Sequence, residues 1–290
     1  FLCVINNMAF LGFEELPLYF GDGGNTTTLP DQDSDGGQRV VAATNVQFSY
    51  TPNVANVGII GRTGDRRQIL SAGPSTATLS FGGILETGDN GEFFPFEFTG
   101  DQGAGTTAIL GNVDGGLKLS GLYMTSLSFN VTPYAPVAYT CDFITFSTDI
   151  TGYQALTATT NSDLKSRASA TGTFHGAYST FANMPGNSLN FESVSYSYAA
   201  NYTPIYSFSG KRETQVILNS AEQNIQVQAD DHVKNVLHTG ALATPTLTLK
   251  TPNDAAGTGI VSKGVITATN VSVSAGDIAK ATINIQEPLF

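Results

Sequence analysis

From Phe191 to Asp231 the chain alternates apolar and polar residues almost without interruption, FESVSYSYAANYTPIYSFSGKRETQVILNSAEQNIQVQADD. A period of two sends successive side chains to opposite faces of a strand, so one face is apolar and the other polar. The pattern predicts three strands: Val194–Tyr198, the run around Ile205, Tyr206 and Phe208, and Ile225–Gln228. A basic, turn-rich tip, Ser209-Gly210-Lys211-Arg212, separates the second from the third.

The same succession begins 148 residues earlier, with Val46 standing where Val194 recurs. Val46-Gln47-Phe48-Ser49-Tyr50 leads to a break at Asn53, as Val194–Tyr198 leads to Asn201. Val57 and Ile60 match Ile205 and Phe208. A second basic tip follows, with Arg62, Arg66 and Arg67. Gln68-Ile69-Leu70 then echoes Gln215-Val216-Ile217, and Ala77–Phe81 echoes Ile225–Val227. Identities are few, and the shared order of elements carries the repeat. A second match closes each half. Gly121–Val131 and Val137–Phe146 correspond to Gly264–Ser274 and Ala279–Ile285. Two tandem halves are therefore expected, 1–148 with an N-terminal arm and 191–290, joined by a polar, turn-rich linker or arm over 149–190.

Composition agrees with a β-protein of this kind. Charged residues make up 13% of the chain, against about a quarter in ordinary domains, while Gly is 31 and Trp is absent. A polar face made of hydroxyls rather than charges suits a protein largely covered by copies of itself. The net charge of -11, from 13 basic and 24 acidic residues, opposes phosphate neutralisation and excludes a typical DNA-binding role. It does not exclude a conduit through which DNA slides.

The two cysteines, Cys3 and Cys141, are too few for a disulfide scaffold. Cys141, in an alternating strand, reads as a small buried hydrophobe, and pairing with Cys3 is left open. No run reaches the ~20 apolar residues of a membrane span. Phe1–Phe13 is apolar but lacks the basic start and cleavage site of a signal peptide. The absent initiator Met points to a processed or trimmed start. Phe1–Phe20 reads as an N-terminal arm, either a strand of the local sheet or a segment reaching a neighbouring subunit.

Asp31-Gln32-Asp33-Ser34-Asp35-Gly36 opens like a calcium loop, with carboxylates at Asp31, Asp33 and Asp35 spaced to converge on one hard cation. The twelfth position is Ala42 instead of Glu, so a solvated acidic loop is the stronger reading. Asp101–Gly116 reads as a Gly-rich loop around Ala108-Ile109-Leu110. One short helix is expected over Asp230–His238, with acidic residues first, apolar residues at helical spacing and His238 before Gly240.

Catalytic patterns are missing. His175, His232 and His238 have no metal spacing, and there is no nucleophile elbow, P-loop, zincin helix or paired-cysteine motif. An enzyme is not expected, and neither is a cofactor. Arg62, Arg66, Arg67, Lys211 and Arg212 are five of the 13 basic residues, gathered in two matching tips. They are either solvated loop ends or contacts for an acidic surface on the next subunit or ring, where charge complementarity sets register. Sequons at Asn25, Asn130, Asn201 and Asn270 are near the number a Ser- and Thr-rich chain carries by composition.

The aromatic strand Ser195–Tyr198, the hairpin tip Ser209–Arg212, the alternating strand after it and the acidic-capped helix together resemble the major tail tube proteins of tailed bacteriophages. The chain end, Thr269–Ser274, a turn at Gly276-Asp277 and Ala279–Ile285, is similar too. The resemblance covers 191–290 well and reaches the first half more loosely, through the repeat.

The resemblance implies a mainly β fold, two tandem β-sandwich or barrel-like tube domains with long hairpin loops and a short flanking helix. It implies a structural virion protein, assembled in the host cytoplasm and located in the tail. Stacked rings would form a conduit lined by acidic residues, through which double-stranded DNA passes without specific binding. Two domains per chain imply homotrimeric rings of pseudo-sixfold symmetry, with other tail proteins as further partners. Arg62, Arg66, Arg67, Lys211 and Arg212 would fall at inter-ring or inter-subunit contacts. The alternatives are another virion β-protein, such as a capsid decoration or baseplate component, and a secreted bacterial adhesin or surface-layer module using calcium at Asp31, Asp33 and Asp35.

Overall fold

The computed structural model describes residues 18–22, 39–41, 43–51, 54–58, 67–71, 75–87, 105–112, 115–146, 151–154, 172–183, 190–207, 213–230, 244–253, 257–275 and 277–289. Among them there is no helix. The first half holds β1 (Leu18–Asp22), β2 (Arg39–Val41), β3 (Ala43–Thr51), β4 (Val54–Gly58), β5 (Arg67–Ser71), β6 (Thr76–Ile84), β7 (Glu86–Thr87), β8 (Thr106–Asn112), β9 (Gly115–Val131) and β10 (Ala138–Thr145). Then follow β11 (Thr151–Gln154), β12 (Gly172–Thr173), β13 (Thr180–Ala182), β14 (Asn190–Tyr206), β15 (Glu213–Asp230), β16 (Thr246–Leu249), β17 (Thr258–Val261), β18 (Val265–Ser272) and β19 (Lys280–Pro288).

Eight strands form the backbone of the molecule, a sheet of order β18-β19-β15-β14-β9-β10-β6-β3 with every neighbour antiparallel. One face is apolar because alternation places Val194, Tyr196 and Tyr198 of β14 beside Leu127 and Phe129 of β9 and Ile225 and Val227 of β15, all buried. Against that face pack Leu247 and Leu249 of β16, Ile260 of β17, Phe174 and Leu18, in one core cluster that spans both halves of the chain. The covering layer comes from β13-β16-β17 on one side and from β1, β8 and the start of β9 on the other.

The strand order repeats. β18-β19-β15-β14 and β9-β10-β6-β3 are the same four elements in the same sequence across the sheet. The covering strands follow suit, since β1 pairs with β8 and β8 with β9 as β13 pairs with β16 and β16 with β17. Even the irregularities coincide. The β9·β10 ladder shifts between Asp142–Ser126 and Phe143–Met124, and the β18·β19 ladder shifts between Asn284–Ala268 and Ile285–Ile266, each residue 142 further on. The β3·β6 ladder shifts between Ala43–Gly83 and Asn45–Gly82, and β14·β15 between Phe191–Ala229 and Ser193–Gln228. A bulge turns every later side chain to the other face, so its recurrence at matching residues holds the same alternation in register twice.

Several expectations change in detail. The three strands expected between Val194 and Gln228 are two, β14 and β15, long enough to run through the anticipated breaks. Pro204 sits inside β14, opposite Val216. It is accommodated because β9 pairs with β14 only as far as Ala199, so among the described strands the proline has a partner on one side only. The stretch 101–116, expected as loop, contains β8 and the start of β9. Ala108 of β8 is buried, and hydrophobic burial with full ladder pairing outweighs the flanking glycines. Asp230, expected to open a helix, ends β15 opposite Lys280, and 231–238 lies outside the described residues. Within 149–190, read from the sequence as a linker or arm, β11 pairs with β9, β13 pairs with β16 and Phe174 is fully buried.

Candidate assembly edges and open face

The two halves meet at β14 and β9, where Val194 lies opposite Val131, Tyr196 opposite Phe129, Tyr198 opposite Leu127 and Ala199 opposite Ser126. Tyr196 and Phe129 stack with centroids 4.9 Å apart at 16°. The Tyr196 hydroxyl donates to Gln223 Oε1 at 3.1 Å, and Gln223 in turn donates to the Glu287 carboxylate. Burial, and after it the neighbouring Tyr198 and Glu287, pushes the Tyr196 phenol well above its usual range. This junction is a packed interior seam joining two equivalent four-stranded sheets.

Beyond the seam, two edges remain. Among the described strands β3 pairs only with β6, and β18 only with β19. Tyr50 on β3 is 44% exposed, Val271 on β18 is 47% exposed and Val273 just after it is 71% exposed. These residues belong by alternation to the apolar face. Their counterparts at the seam, Tyr198, Phe129 and Val131, are buried.

The opposite face of the sheet forms a shallow open trough of 690 Å³. On this face hydroxyls and amides are joined across strands. Ser128 and Thr140 share a hydrogen bond of 2.8 Å, Ser195 donates to Asn130 Oδ1 at 3.2 Å, Ser193 to Gln228 Oε1 at 3.2 Å and Gln226 to Asn284 Oδ1 at 3.0 Å. Asp142 stands on this face and accepts from Ser126 at 2.5 Å. Lys280 is paired with Glu192 at 3.0 Å, and that partner raises its pKa. None of the residues that line the trough is charged, in keeping with a polar face built of hydroxyls and amides.

Of the residues expected at contacts, Arg67 opens β5 opposite Gly58, at the far end of the β4·β5 ladder. Arg62, Arg66, Lys211 and Arg212 lie outside the described residues, in the connections from β4 to β5 and from β14 to β15. Asp31, Asp33 and Asp35 are also outside them, as is Cys3. Cys141 is a free, buried thiol pointing at the Phe81 carbonyl at 3.7 Å, and burial, with Asp142 adding to it, raises its pKa well above the ordinary value. It occupies the core position that Ile283 fills in the second half. His175 accepts a hydrogen bond at Nδ1 from the Ala177 amide at 3.2 Å. Among the described residues no three His, Cys, Asp or Glu side chains gather at one point, and no helix is long and apolar enough to cross a membrane.

The free edges were not singled out by sequence reading. A signal existed, because a repeated four-strand unit with one internal seam leaves one edge of each kind open. Comparison with protein-family models and with characterised proteins finds no match.

Proposed function

We propose that this chain is a structural virion protein, a tail tube protein with two tandem tube-like units, that assembles with itself into stacked rings of three chains. The single observation that carries the reading is the seam. The chain already joins two four-stranded sheets edge to edge, and among the described strands it leaves the same two kinds of edge open at its ends. A head-to-tail contact of this type generates a ring if the rotation closes and a filament if it does not. Closure also removes exposed sheet edges, which otherwise template aggregation.

The open face supports the conduit part of the reading. A trough of mutually hydrogen-bonded hydroxyls and amides offers phosphate no unpaired cation, and the net charge of -11 adds a general repulsion. The basic tips with Arg62, Arg66, Arg67, Lys211 and Arg212 would then meet the acidic surface of the next ring, with other tail proteins capping the stack.

Negative-stain electron microscopy with mass determination tests this directly. Hollow tubes or rings of three chains are expected. A protein that stays monomeric at high concentration removes the reading.

A further inference from the structure

The seam between the halves specifies more than the existence of an interface. Each residue on it has a counterpart at a free edge. The β3·β6 and β14·β15 ladders superimpose with Val46 on Val194 and Phe81 on Val227, as their shared bulges require. The β9·β10 and β18·β19 ladders superimpose with Leu127 on Thr269 and Cys141 on Ile283. The neighbours β10·β6 and β19·β15 agree independently, because Cys141 lies opposite Phe81 and Ile283 opposite Val227. Three separate ladders thus give one mapping, with no adjustable shift.

We propose that a second copy of this chain docks its β3 edge antiparallel against the β18 edge, in the register that runs from Val46 opposite Val273 to Thr51 opposite Ala268. This is the seam register, Val194 opposite Val131 to Ala199 opposite Ser126, carried over residue by residue. It rests on the self-assembly reading above but not on the identification as a tail tube.

The chemistry of both faces fits the register. On the apolar side Phe48 meets Val271 and Tyr50 meets Thr269, so the exposed Tyr50, Val271 and Val273 become interior. Thr269 Oγ1 is buried and has no hydrogen-bond partner among the described residues. On the polar side Gln47 lies opposite Ser272, continuing the amide and hydroxyl ladder in which Ser195 and Asn130 are bonded. No like charges oppose one another. A shift of one residue would set the apolar face of one chain's edge strand against the polar face of the other's, placing Tyr50 and Val271 beside polar side chains, which strongly disfavours it.

Engineered cysteines on the polar side read out the register without disturbing the core. Directly opposite residues lie about 4.5–5.5 Å apart, within disulfide reach, while diagonal neighbours lie about 7–8 Å apart. In a Cys3→Ser background, with Cys141 buried, the pair Gln47→Cys and Ser272→Cys should oxidise to covalent oligomers ending at three chains. The pair Gln47→Cys and Asn270→Cys should not. Independently, Val271→Asp should raise the concentration needed for assembly by on the order of ten-fold or more, and its circular dichroism should remain that of the parent. Assembly that proceeds with the second cysteine pair cross-linking instead, or with neither, overturns the register and leaves self-assembly standing. Assembly unaffected by Val271→Asp overturns it likewise. Absence of any assembly in the parent chain overturns both readings.

Discussion

Single residues in this protein are governed by how close the strands run. Gly176 donates its amide to the Ala135 carbonyl at 2.9 Å, and a Cβ there would fall 1.8 Å from the Thr132 carbonyl oxygen. Backbone cannot retreat as a flexible side chain does. Gly176→Ala is therefore expected to destabilise by about 1–3 kcal/mol, measurable by urea denaturation. Cys141 and Tyr196 give a pH dependence. Burial raises both pKa values, so the folded chain holds protons that the unfolded chain has released, and stability falls as pH rises. The contribution is intact below the ordinary thiol value of about 8.5 and is lost above it, with the phenol joining near about 10. Thermal melts between pH 7.5 and 10.5 should show a declining midpoint. Cys141→Val, which puts an aliphatic side chain where Ile283 stands in the second half, should flatten the early part of that decline.

At the scale of elements, alternation makes strands and bulges set their faces. The covering strands matter as much as the large sheet, since Leu247 and Leu249 of the four-residue β16 are both buried in the shared core. Leu249→Ala should cost about 2–5 kcal/mol, the range for a buried leucine whose cavity does not fully collapse. Pro204→Ala, where β14 has a partner on one side only among the described strands, should change stability by less than about 1 kcal/mol. Equal losses from the two substitutions would show that β16 is not part of the cooperative core. β14 and β15 were each legible in part as alternating runs. Their continuity was not, because Pro204 and Asn201 look like breaks until pairing with β15 carries the strand through them. β8 was hidden for the converse reason, since its glycine-rich surroundings suggest loop and only pairing with β1 and β9 makes it a strand.

At the scale of the molecule, one core cluster draws residues from both halves, and the seam buries Tyr196 against Phe129. Differential scanning calorimetry of the monomeric Val271→Asp variant is therefore expected to show one cooperative transition. Two resolved transitions would mean that the halves fold as independent domains joined at a weak seam. The same seam, repeated between chains, would give every step around a ring the same geometry.

The sequence alone determined the strands with strict alternation, the order of the repeat and the neutral character of the polar face. Those properties follow from side-chain period and composition, which are local. Tertiary structure decided the rest. The order β18-β19-β15-β14-β9-β10-β6-β3 depends on which edges meet between strands distant in sequence, as β14 meets β9 and β19 meets β15, and hydrogen bonding between strands is the same for any partner. What selects the partner is the burial of particular side chains, Tyr196, Phe129 and Tyr198, in one shared interior. That burial also explains why Tyr50, Val271 and Val273 stand out. They follow the same local pattern, but among the described strands β3 and β18 have a partner on one side only.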